Sequence, residues 1–119
     1  MKWLNMNEFK LFSKSKTLLK YLESNILNNI PKIHNSYRIG LENNTISLNE
    51  NIIRANINEG SIRTKYQKEI LVNLSMIDLY LSILLDLDII SKKNFMTVSR
   101  LLNEIRKMTL SWSSNEKIK

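Results

Sequence analysis

Three aspartates and one histidine are the residues of this chain whose types could do acid–base or metal chemistry. Asp78, Asp86 and Asp88 lie in "IDLYLSILLDLDII" and could act as general acids or as oxygen ligands for magnesium. Asp78 and Asp86 are about 12 Å apart along a helix, too far to share one ion without ligands from other helices. They read as solvated or salt-bridging positions. His34, the sole histidine, sits in the polar connection "PKIHNSYRIG" and reads as the donor of a turn hydrogen bond rather than as an acid–base catalyst. The chain has no cysteine, which excludes disulfides and thiolate metal sites. No Gly-rich phosphate loop, paired histidines or Ser/His/Asp order can be assembled. The chain reads as a non-enzyme without metal or cofactor.

Its charged residues point to binding instead. Formal net charge is +7, from 18 basic and 11 acidic residues, a balance that favours a polyanion or an acidic protein surface as partner. The charge is uneven: residues 1–30 carry net +3, residues 92–107 net +4 and residues 64–88 net −2. Lys93, Arg100 and Lys107 recur every seven residues, which on a helix is one outward row opposite Phe95 and Val98. This row, with Arg106 and with Arg63, Lys65 and Lys68 on the way into the third helix, is the candidate nucleic-acid-binding set. A solvated helix face has the same pattern, and both readings stand at this point.

The elements that must carry these residues are helical. Two Gly and one Pro in 119 residues are too few turn signals for a β-sandwich or barrel. The length fits one domain, 1–119. A first amphipathic helix spans 7–29 with Phe12, Leu19, Leu22 and Ile26 inward, and Pro31 ends it. The second spans 37–58, with Ile39, Ile46, Ile53 and Ile57 in one stripe and Leu41, Leu48, Ile52 and Ala55 beside it. A face this wide suggests contact on two sides. Gly60 is expected to close that helix. The third, 64–88, carries Ile70, Leu74, Ile77, Leu81 and Leu84 at spacings of four and three, the rhythm of a bundle seam. Ser91 is the N-cap of the fourth, 92–112, whose Phe95, Val98, Leu102, Ile105, Thr109 and Trp112 keep that rhythm, and 113–119 is a flexible tail. Short links favour an antiparallel up-down-up-down four-helix bundle, an all-α fold. No apolar run reaches the roughly 18 residues of a membrane span, and the N-terminus does not read as a signal peptide. The expected location is the cytoplasm.

The order of "NIPK", "YRIGL", "ENIIRAN", "DLDIIS" and "RLLNEIRKMTLSW" resembles the four-helix-bundle accessory proteins of diversity-generating retroelements, called Avd, from about Leu11 to Trp112. That family's proline-lysine pair before an aromatic and a glycine is matched by Pro31, Lys32, Tyr37 and Gly40, with one extra residue between. Its glutamate, apolar pair and Ala-Asn late in helix two are matched by Glu50, Ile52, Ile53, Ala55 and Asn56. Glu104, Ile105 and Trp112 keep the register of its C-terminal segment, although Arg106, Leu110 and Ser111 stand where family chains commonly have glycine. The resemblance implies a homopentameric barrel that binds a reverse transcriptase and its template RNA in support of mutagenic cDNA synthesis. It also implies that Trp112 anchors the end of helix four. Proteins encoded within ribosomal RNA genes, of the intervening-sequence type, share the pattern and would be stand-alone RNA binders. A protein-interaction module without a nucleic-acid role is the third possibility.

Overall fold

A computed structural model describes residues 6–118 of the chain, and the side chains of residues 10–115. Its elements are α1 (Met6–Asn25), a 3-10 turn (Leu27–Asn29), a second 3-10 turn (Lys32–His34), α2 (Asn35–Ile57), α3 (Gly60–Asp86) and α4 (Lys92–Ile118). No strand occurs among the described residues. Each helix packs against its neighbours in the ring α1–α2–α3–α4, and α4 closes back onto α1.

Cross-helix contacts fix the directions. Ser15 meets Asn49, Asn51 meets Asn73, Arg63 lies on Trp112 and Lys14 pairs with Glu104. These pairs make every neighbour antiparallel, as short links require. The expected bundle is present.

The core follows the three-four rhythm on α3 and α4. On α3, Ile70, Leu74, Ile77, Leu81 and Leu84 are all fully buried, and Val98, Leu102, Ile105, Thr109 and Trp112 line the inside of α4. Ser91 caps α4 as expected, its Oγ accepting the Asn94 backbone N–H at 3.1 Å.

Several expectations are corrected. Phe12 and Leu19 are only partly buried, and Leu11, Ser15 and Leu18 take their places beside Leu22 and Ile26. Apolar residues occur on two flanks of α1, so spacing alone admits a rotation by one residue. α1 ends at Asn25 rather than 29, because the chain tightens into the 3-10 turn that leads to Pro31. On α2 the inward stripe is Leu41, Thr45, Leu48, Ile52 and Ala55, whereas Ile39, Ile46 and Ile57 are exposed and Ile53 is half-buried. Gly60 does not close α2. It opens α3 at φ +61, a left-handed conformation that glycine adopts without a Cβ penalty. α4 continues to Ile118 instead of ending at 112 in a flexible tail. Lys119 and the N-terminal residues 1–5 of the leader reading lie outside the described residues.

Buried polar groups fix the α2–α3 register. The Asn51 amide donates to Asn73 Oδ1 at 2.8 Å, and the Asn73 amide donates to Asn44 Oδ1 at 3.4 Å. Sliding one helix past the other would strand these amides without partners, at roughly 1–3 kcal/mol each. Near its other end α2 passes so close to α3 that the Tyr80 ring lies directly on Gly40.

At the α1–α2 seam the Glu42 carboxyl, hydrogen-bonded to Glu23, raises the Glu23 pKa; burial and Glu42's charge add to the rise, and Arg38 opposes it. A carboxyl whose folded pKa is raised holds its proton to higher pH than in the unfolded chain. Its ionisation therefore costs stability at neutral pH, and that cost is relieved as pH falls through the folded pKa toward the unfolded value. Replacing Glu42 with Gln is expected to lower the Glu23 pKa, because an amide can donate to the ionised form. Carbon-detected NMR titration of the carboxyls checks this, and a Glu23 midpoint that stays put in Glu42→Gln contradicts it.

Candidate nucleic-acid interface

α4 is amphipathic because Val98, Leu102, Ile105, Thr109 and Trp112 pin one side to the core. Lys93, Arg100 and Lys107 then point to the opposite side, and all three are exposed. Their rise is about 10.5 Å per repeat, close to the Debye length of roughly 8–10 Å near physiological salt. Mutual repulsion along the row is therefore largely screened.

The neighbouring helix extends this row. Lys14 of α1 pairs with Glu104 of α4, and the Tyr21 hydroxyl donates to Asn94 Oδ1 at 2.7 Å. These contacts hold α1 alongside α4, and α1 brings the exposed Lys10, Lys16 and Lys20. Glu104 is already committed to Lys14, and Glu23 lies toward α2 beside Glu42. Counted over whole helices, α1 and α4 carry net +2 and +4, while α2 and α3 are each neutral. The basic surface is thus the α1/α4 side. The lysines of α1 were not among the expected site residues. The positive N-terminal third was their signal, but only the packing shows that it adjoins α4.

The remaining candidates divide. Arg106 is half-buried beside the row and donates to Asn103 Oδ1 at 3.2 Å, within its own helix. Lys65 and Lys68 are exposed on α3, which flanks α4 on the side away from α1. The Lys65 ammonium lies 5.5 Å from the Tyr66 ring centre. Arg63 does something else. Its guanidinium donates to the backbone carbonyls of Ala55 and Asn58, both at 2.8 Å, and of Asn56 at 3.1 Å. It also lies 5.5 Å from the Trp112 ring centre. Those carbonyls are the ones a helix leaves unpaired at its C-terminus. Arg63 therefore caps α2 and ties the α2–α3 corner to the end of α4, a structural duty that no spacing rule shows.

The groups considered for catalysis are not brought together. Asp78, Asp86 and Asp88 are exposed, and no cluster of three metal-binding side chains occurs among the described residues. Asp88 holds a positive φ of 56°, where its short side chain is tolerated better than most. The His34 backbone N–H donates the expected turn hydrogen bond, to the Pro31 carbonyl at 2.9 Å, and its ring stacks on Tyr37, centroids 5.9 Å apart. No helix among the described residues is long and apolar enough to cross a membrane.

No known protein family, curated protein or solved structure matches this chain.

Proposed function

We propose that this protein is a non-catalytic accessory subunit of a diversity-generating retroelement, which holds a reverse transcriptase and its template RNA together during mutagenic cDNA synthesis. The observation that supports an RNA-contacting role is the segregation of charge, with net +6 on α1 and α4 against zero on α2 and α3. Phosphates met by such a surface are held without reading of base sequence. The resemblance to Avd supplies the polymerase partner and the homopentamer, in which five copies of the basic surface act together in the cytoplasm. The subunit contributes positioning and charge, with no active site of its own.

The test is a salt titration of RNA binding. Each phosphate contacted on a single strand contributes a slope of about −0.7 in log K against log salt. Changing Lys93, Arg100 and Lys107 to Gln is expected to flatten the slope and to weaken all sequences alike. The fold should persist, because exposed substitutions usually change stability by less than about 0.5 kcal/mol. A triple variant that binds as tightly as the parent at every salt concentration reduces the row to a solvated face. Copurification of a reverse transcriptase that survives ribonuclease separates the accessory reading from a stand-alone RNA-binding bundle. A protein partner held with no RNA affinity at all would favour an interaction module.

A further inference from the structure

We infer that the core of the bundle holds an internal water site at the Gln67 carboxamide, in the layer that Gln67 shares with Ala55, Asn56 and Thr109. This rests on burial and hydrogen-bonding capacity and is independent of the nucleic-acid reading. The apolar seam of α3 is Ile70, Leu74, Ile77, Leu81 and Leu84, and Gln67 stands one step before it in the same inward row, 2% exposed. A carboxamide carries two N–H donors and an oxygen with two lone pairs. Both Nε2 and Oε1 of Gln67 are shielded from solvent, and neither has a hydrogen-bond partner among the described residues. Buried side-chain polar groups nearly always have a partner, either a protein group or ordered water. Leaving a whole carboxamide without one is more costly than leaving a single donor.

The neighbouring helices shape the site. The register set by Asn51–Asn73 and Gly40–Tyr80 puts Gln67 level with Ala55 and Asn56 on α2. The contact of Arg63 with Trp112 puts it level with Thr109 on α4. All three neighbours are buried. Where the adjoining turns bring Ile52, Ile70 and Ile105 inward, this layer has the short side chains of Ala55 and Thr109, so the core is less filled around the carboxamide. The layer is also polar. The Thr109 hydroxyl donates to the Ile105 carbonyl at 2.8 Å, and its oxygen keeps lone pairs that can accept. No charged side chain is buried among the described residues, so an ion here would lack the counter-charge that burial demands. The ligand that fits is small, neutral and able both to donate and to accept. Water meets all three conditions, and buried water typically bridges polar groups of this kind.

Oxygen-17 magnetic relaxation dispersion counts long-lived internal waters without interference from exchanging hydroxyl protons. It is measured on the full chain and on Gln67→Met, which keeps an unbranched side chain but has no amide. The dispersion amplitude should fall by the contribution of at least one water in the variant, with helical circular dichroism unchanged. A crystal structure of the unaltered chain gives a second readout that does not depend on a variant folding. It should show an ordered water within about 3.2 Å of Gln67 Nε2 or Oε1. Equal dispersion in the parent and a folded Gln67→Met, or a Gln67 carboxamide bonded only to protein groups in the crystal, overturns the inference.

Discussion

Trp112→Ala lowers the stability of the bundle by about 3–5 kcal/mol, the usual cost of removing a large buried aromatic. The indole is 9% exposed near the end of α4, where Ile105 and Thr109 continue the inner face. Its ring also carries the guanidinium of Arg63, so its loss removes the support of the group that caps α2. Two helix ends and the α2–α3 corner therefore loosen together. The indole N–H has no acceptor among the described residues, and a buried donor without a partner costs roughly 1–3 kcal/mol. Trp112→Phe keeps a ring and discards that donor, so it should fall within about 1 kcal/mol of the parent. Urea unfolding of both variants checks the pair. An Ala variant within about 1 kcal/mol of the parent would show that the ring is a surface contact.

Gly40→Ala is the second large effect, and its sign is informative. In an unobstructed helix interior, alanine improves on glycine by about 0.5–1 kcal/mol. At Gly40 an added Cβ would sit 2.5 Å from Tyr80 Cζ and 2.6 Å from its hydroxyl, well inside van der Waals contact. Overpacking of this kind costs about 1–3 kcal/mol, so the net effect should be destabilising. Tyr80 also packs at 6.2 Å on Tyr37, which itself stacks on His34. Displacing the Tyr80 ring would therefore disturb the row of rings at the start of α2. In a Tyr80→Ala background the same glycine replacement should become stabilising. A double-mutant cycle measures that reversal; if Gly40→Ala stabilises the parent, the Tyr80 ring swings aside freely.

The sequence by itself determined that this chain is helical and where the safest seams run. Scarce glycine and proline leave no other fold class, and Ile70 to Leu84 on α3 and Val98 to Trp112 on α4 keep an unbroken three-four rhythm that the core follows, although Val72, Leu79, Met96 and Leu110 are apolar and exposed. The basic row of Lys93, Arg100 and Lys107 was legible for the same reason, since a pinned inner face leaves no freedom for the outer one. α2 was not legible in this way. Its isoleucines and its leucines both keep helical spacing, and periodicity cannot say which row a neighbouring helix will cover. The tertiary structure decided it through groups that spacing does not rank: the Asn44, Asn51 and Asn73 amides that must find partners, and Gly40, whose missing Cβ admits Tyr80. It also took Arg63 out of the basic surface, because the carbonyls at the end of α2 are unpaired only once the chain turns there. The lysines of α1 joined the basic surface for a related reason: adjacency between the first and last helices is a property of the closed ring, set by burial of all four inner faces at once.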